Sequence, residues 1–506
     1  MCRKRFRDRR IVFPRSVRLL SALLISTLPL ATLCLAAAGS DAPLADALEH
    51  RDTASVQTLL NRGVEINATQ PDGMTALHWA AYQDDLETTK ALLVAGADAN
   101  AANRYGVTPL SLACTNGNVA MVELLIKAGA DPNAALPGGE APLMTAARTG
   151  KIAAVKALIA NGANIHAKDD RQGQTALMWA AAEGHTEVVE LLIEFGADFR
   201  TPIESGFTPL LFAAREGRIG VARALLKAGA DVNEAVDQRR RGARPRSGTT
   251  PLLMAVTNAH FELAALLLDA GADPNADGTG YTPLHAIAPV RKPGIGDNDP
   301  PPEGSGSMTS IEFVKKITAK GADLNARMTR KINLGNTSLN KLGATPFFLA
   351  AQSADAELMR TLAELGADPL LTNEDNSTAL MAAAGLGTRS PGEDAGTEQE
   401  VMEAIQVALD LGIDINAVDD HGETALHGSA YKNLPNVVEF LAEKGARIQI
   451  WNQKNEYGWT PLIIAEGYRF GNFKPSPVTI DAILRVMAAA GVTPPAHRNA
   501  KSQEIY

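Results

Sequence analysis

Cysteine is nearly missing from this chain, with three in 506 residues, at Cys2, Cys34 and Cys114. Paired Cys ligands for zinc, haem or a disulfide framework therefore have no support. No Gly-rich phosphate loop ending in Lys-Ser/Thr occurs, no His-Glu-x-x-His and no Gly-x-Ser-x-Gly elbow. His50, His260, His421 and His497 share no spacing that would gather metal ligands. Asp297, Asn298 and Asp299, in a Gly/Pro-rich stretch, could hold calcium but match no loop pattern fully. The reading therefore calls for no catalytic residues, no metal and no cofactor. Aromatic side chains make up only 5% of the chain, so each one at an exposed position carries weight. Basic residues (48) are outnumbered by acidic ones (57), for a net charge of −9.

The charge is unevenly placed. Residues 1–38 hold eight Lys or Arg, from Arg3 to Arg18, against one acid, Asp8. An apolar run from Leu19 to Leu35 follows, then Ala36-Ala37-Ala38. Basic, apolar and small segments in that order read as a signal peptide over residues 1–38, and hence a periplasmic or secreted protein. The alternative is an uncleaved inner-membrane anchor, because the run approaches spanning length. Pro29 within the run and the Ala residues after it favour cleavage. Lipidation of Cys34 is disfavoured by Leu33, where a small residue is needed. The remainder would be near −16, which gives no electrostatic reason to bind nucleic acid or an anionic membrane. Cys114 would then be the single thiol, in an Ala slot that implies burial.

Beyond residue 38 the chain repeats itself. The stretch beginning at Gln174 is typical: Thr175 as a helix N-cap, then Leu177, Trp179, Ala180 and Ala181 at helical spacing, with Gly184 as the stop. A second helix follows, with an apolar stripe of Val188, Val189, Leu191 and Leu192. The same start recurs at Thr75, Thr108, Thr208, Thr250, Thr282, Thr345, Thr378, Thr424 and Thr460, with Ala141 in the same slot. Several starts are 33 residues apart. The stop Gly-Ala-Asp-x-Asn stands at Gly96, Gly129, Gly229, Gly271 and Gly321. One unit cannot bury its apolar face alone, so copies must stack.

Period, start and stop together resemble the ankyrin repeat family over roughly residues 44–492. The resemblance implies an all-α solenoid of about twelve helix-turn-helix units with hairpin-like fingers, preceded by an N-terminal signal helix. Residues 39–67 read as an atypical capping repeat, 68–233 as regular repeats, 234–492 as repeats with long insertions, and 493–506 as a tail. His78, His285 and His427, at the fourth position of the start motif, are implied to tie neighbouring turns together. Trp79 and Trp179, one position later, imply packing between repeats. The C-terminal half also resembles a group of exported bacterial ankyrin proteins, in Lys292-Pro293-Gly294 and Trp459-Thr460-Pro461-Leu462.

Insertions at residues 234–249, with an Arg cluster from Arg239 to Arg246, and at 326–344 fall in fingers. Those at 289–308, 386–399 and 466–477 fall between the two helices of a repeat. Insertions at one topological point emerge along one edge, so the two groups are expected on opposite edges. The composition of 289–308 fits a solvated loop. Tyr468, Phe470 and Phe473 are expected to pack on the last repeats.

The family arrangement implies a concave groove made by fingers and first helices. Its variable slots hold Tyr82, Arg104, Tyr105, Arg148, Phe207, Arg215, Tyr281, Tyr457 and Trp459. Tyr, Trp and Arg carry most binding energy at protein interfaces. The expected function is a non-catalytic, monomeric scaffold that binds another protein. The alternatives are an enzyme with a site on the C-terminal insertions, and an effector secreted into a host cell.

Overall fold

Thr at each repeat start does what its chemistry allows. The Thr175 hydroxyl accepts the Met178 amide, and Thr208, Thr250 and Thr345 cap their helices in the same way. Where Pro follows, it occupies the first helical position, whose N–H needs no partner. The computed structural model describes residues 41–237, 246–294, 302–331, 337–469, 471 and 474–494. Among these residues, 25 helices form twelve antiparallel pairs plus one short extra helix, Ile448–Trp451. The pairs are numbered here as repeats 1–12, from Pro43–Glu49 with Thr53–Asn61 to Pro461–Ala465 with Pro477–Ala489. The expected signal segment lies outside the described residues, as do Phe470, Phe473, Asp297 to Asp299, His497 and most of the Arg239 to Arg246 cluster.

First helices pack on first helices and second on second along the stack. The first-helix seam is narrow because it is built from Ala pairs. Ala80-Ala81, Ala146-Ala147, Ala180-Ala181 and Ala213-Ala214 are all fully buried. Cys114 fills the second Ala position in repeat 3, and burial pushes its thiol up to about 12, which keeps it protonated and inert.

Fingers are closed turns rather than strands: Asn103 N–H bonds the Val107 carbonyl, and Arg104 N–H reaches the Asp72 carbonyl of the preceding finger. His78 accepts the Thr75 amide on Nδ1 and bonds the Val107 carbonyl of the next repeat through Nε2 at 2.9 Å. His285 does the same toward Ala344 at 3.0 Å, across the insertion, and burial pushes it down to about 4.

The stop motif is a clamp. Asn133 Nδ2 donates to the Gly162 carbonyl, and its Oδ1 accepts the Asn164 amide at 2.7 Å. Asn67, Asn100, Asn233 and Asn275 hold the Gly and Asp of the following stop in the same two-handed way. In repeat 4 that Asn position is His166. There the fingers leave a hollow of about 220 Å³ bounded by Ile165, Lys168, Met178 and Ile203.

Asn133→Ala removes both bonds of one clamp. Its expected cost is about 1–2 kcal/mol in urea unfolding. Amide exchange at Asn164 should accelerate while distant repeats are unaffected, because contacts in a solenoid are local. Unchanged exchange at Asn164 would refute the clamp's energetic role.

Candidate functional site

The slots read from the sequence divide by neighbourhood. Tyr82 ends the first helix of repeat 2 and is 43% exposed, edge-on to Trp79 at 5.9 Å. Trp79 is fixed by its indole N–H to Gln70 Oε1 at 2.8 Å. Arg104 and Tyr105 form the tip of the next finger, and Tyr105 is 70% exposed. Asn103 builds that tip by accepting the Tyr105 and Val107 amides on one side-chain oxygen. Tyr457, 46% exposed, stacks on half-buried Trp459 at 5.1 Å near the other end of the array.

The remaining slots look inward. Arg148 lies over the Trp179 ring at 5.4 Å and pairs with Glu140 at 3.1 Å, which joins repeats 4 and 5. Arg215 sits 5.0 Å from both Phe207 and Phe212 and pairs with Glu216. Phe207 corrects the sequence reading: it is buried, not a groove contact. The finger folds back through the Ile203 amide to the Phe207 carbonyl, which sets the ring on Phe212 at 4.8 Å with Arg215 as a lid. Tyr281 is half-buried against the core.

Insertions from the two edges do not stay apart, which corrects the second expectation. The finger insertion at 326–344 is closed at its base by Met328 and Ala344. Its far end reaches the inter-helix insertion of repeat 10, where Thr337 bridges to Thr388 and both the Ser338 amide and the Thr337 hydroxyl donate to the Gly387 carbonyl. It thus straps across the first helix of repeat 9, Pro346–Gln352, a span of about 10 Å. Gly387 permits the approach: its φ is +76°, and a Cβ there would meet the Leu339 backbone at 2.4 Å.

The insertion at 289–308 is also docked where it is described. Ser305 bonds His260 at 2.9 Å, and the Ser307 amide bonds Glu262. Arg291 holds Asp355 and Glu357. In the last insertion, Arg469 is 2% exposed and donates to the Tyr431 carbonyl at 2.6 Å and to Asn433, an anchor the sequence reading did not single out.

Asp375, His421 and Glu456 occupy three successive fingers. His421 Nδ1 is 2.9 Å from Glu456 and Nε2 is 3.3 Å from Asp375. The hydrogen bond that His421 donates to Glu456, helped by the one to Asp375, raises His421 to about 9. Among the described residues no group of three His, Cys, Asp or Glu is placed to hold a metal. No helix among them is long and apolar enough to cross a membrane.

Against known families, "Ankyrin repeats (3 copies)" matches residues 44–135, 143–236 and 396–472, and "Ankyrin repeat" matches 247–278. Among curated proteins, ankyrin repeat and SOCS box protein 6 of Homo sapiens is 32% identical over 124 residues, 22% of this chain and 29% of that protein. Glycerophosphocholine phosphodiesterase of Candida albicans is 32% identical over 71 residues, 14% of this chain and 6% of that protein. The chain thus spans less than a third of the length of these relatives. The human ASB11 ankyrin repeat domain aligns with a TM-score of 0.40 and 29% identity, over 46% of this chain and 99% of that one.

A finger staple centred on His421 has a defined pH signature. Its folded pKa lies above the unfolded 6.5, so its contribution is complete below about 6.5 and is lost as pH rises through about 9. Nuclear magnetic resonance of His421 should show that titration. His421→Asn should flatten the stability of repeats 10–12 between pH 7 and 9.5. A His421 midpoint near 6.5 would contradict the staple.

Proposed function

This chain belongs to the ankyrin repeat family, and we propose that it is an exported scaffold that grips a protein partner through the open groove of repeats 2 and 3. Ankyrin repeats are a protein-interaction scaffold, and among the described residues Tyr82 and Tyr105 on the first half of this array are left exposed. The observation that carries the reading is the exposure of Tyr82 and Tyr105 beside Arg104, in a chain so poor in aromatics. An exposed tyrosine on a rigid finger offers a large contact area at small entropic cost, and arginine beside it adds directional bonds. Arg148, Arg215 and Trp179 then serve as the stiff floor that holds the fingers in register. In the second half the strap lies over the first helix of repeat 9, so the partner's footprint belongs to the first. The reading includes no catalytic step, since the strongly shifted groups described above, Cys114, His285 and His421, all serve packing or finger contacts.

Export rests on residues 1–38. Their basic, apolar and small-residue order, the acidic remainder and a sealed Cys114 thiol all suit an oxidising compartment outside the cytoplasm.

Affinity capture from an envelope extract tests the groove. The chain without residues 1–38 is compared with a variant carrying Tyr82→Ala, Arg104→Ala and Tyr105→Ala, both checked for folding by circular dichroism. These are exposed positions, so stability should change by less than about 0.5 kcal/mol each. One protein retained by the parent and lost at least tenfold by the variant is the expected result. Equal retention by both would move the docking face elsewhere.

Export has its own readout. Full-length protein with a C-terminal tag should be recovered from the periplasmic or secreted fraction at the mass of a chain lacking residues 1–38. Recovery of the intact mass in the inner membrane would establish an anchor instead.

A further inference from the structure

The hollow between the fingers of repeats 4 and 5 lies where the asparagine clamp is interrupted. Its volume is about 220 Å³, with Ile165, Met178 and Ile203 as its apolar side and a rim that includes His166, Lys168 and Asp198. Met178 and Ile203 are buried and Ile165 is half-buried. A cavity of about 150 Å³ accepts benzene, so this one has room for a six-membered ring and a small polar group.

The stop that a clamp residue at 166 would grip is otherwise regular. Gly196 has a φ of +88°, the same as Gly162 in the stop that Asn133 holds. Asp198 Oδ1 accepts the Arg200 amide at 2.9 Å, as Asp131 Oδ1 accepts the Asn133 amide at 2.8 Å. What differs is the partner. In the intact clamp one Asn carboxamide donates to the Gly carbonyl and accepts the amide two residues later. Among the described residues, neither the Gly196 carbonyl nor the Asp198 amide forms a hydrogen bond. His166 donates its backbone amide to Asn164, and its imidazole bonds none of them.

A carbonyl acceptor and an N–H donor, spaced for one carboxamide, thus border an apolar space. A primary amide brings both complements, an NH2 donor and a carbonyl acceptor, in one planar group. A carboxylate has no donor for the Gly196 carbonyl, and neither has a tertiary amide. The rim charges do not call for an ion, because Lys168 and Asp198 are of opposite sign. The Thr201 hydroxyl and the Arg200 amide hold the Asp198 carboxyl below its usual range, and Lys168 adds to this. An apolar body laid against Ile165, Met178 and Ile203 contributes in proportion to the area it covers.

We propose that this hollow binds a small neutral primary carboxamide with an apolar body the size of a six-membered ring. Its amide group takes the place of the clamp asparagine between Gly196 and Asp198. The bound molecule then supplies the link that repeats 4 and 5 lack, so its binding stiffens the middle of the array.

The test titrates the full-length protein with benzamide, reading the unfolding midpoint and the heat of binding. N,N-dimethylbenzamide and benzoate, which lack an amide N–H, and acetamide, which lacks the ring, are the comparisons. Benzamide should bind saturably, and each comparison more weakly by about tenfold or more. His166→Asn supplies the carboxamide from the chain itself, so it should raise the unfolding midpoint and weaken benzamide binding by about tenfold or more. His166→Ala removes the exposed imidazole and supplies nothing, so benzamide affinity should stay within about twofold. Tyr82→Ala with Tyr105→Ala should leave that affinity unchanged, which separates this site from the groove. The proposal is overturned if benzamide gives no saturable response, or if any comparison binds as tightly. It is equally overturned if folded His166→Asn binds benzamide like the parent, or if folded His166→Ala loses it. The comparison of amides on the parent decides even without the variants.

Discussion

The clamp made by the stop-motif asparagine governs how every other part of this molecule is placed. Most of these Asn residues satisfy both a carbonyl and an amide of the next repeat, groups that a helix end would otherwise leave to water, and Asn325 accepts the amide of Asp368. The clamp therefore couples the end of one second helix to the end of the next and sets the spacing at which Ala pairs can meet in the first-helix seam. The histidine of the start motif performs the matching task one layer inward, from Thr75 to Val107 and from Thr282 to Ala344. Because both devices act only between neighbours, the array tolerates long insertions. His285 still reaches its partner although the intervening chain is much longer than a regular repeat.

Where the clamp residue changes, the structure changes in kind. His166 replaces Asn in repeat 4 and a hollow opens between fingers. Arg200 replaces it in repeat 5 and reaches the Gly229 carbonyl only at 3.5 Å, while its guanidinium covers Phe199. Leu370 replaces it in repeat 9 and is 58% exposed. Next to that last position other links carry the load: Asn340 of the strap bonds Asp375, Asn373 returns a bond to the Asn340 carbonyl, and His421 joins Asp375 to Glu456. The C-terminal half thus substitutes charged and insertion-borne contacts for the regular asparagine.

Most of the fold was legible because its signals are local. A Thr that caps, a Gly that ends a helix and a stripe of period 3.6 each act within a few residues, and their recurrence counted the twelve pairs correctly. The site was less legible. Slot position tells where a Cβ points but not what covers it, so Tyr105 and Phe207, both finger residues, were given one role and have opposite exposures. Coverage of Phe207 comes from Arg215, eight residues later and on a helix, a tertiary fact with no period. The strap contact carried no signal either: Thr337 and Gly387 stand in different repeats and meet only in the folded chain.

The strap also explains why edges expected to be apart are joined. A first helix in this array is only seven or eight residues long in most repeats, so its two ends are about 10–12 Å apart. A finger insertion of modest length can cover that distance in extended form with residues to spare. It stays there only if it finds backbone partners at the far end, and Gly387 supplies them by presenting a carbonyl where any side chain would collide. The array therefore has two different inner faces. In the first half, side chains on short fingers are left to meet whatever docks. In the second, the chain lays its own segment over the repeats, which leaves less of the inner face open to a second protein.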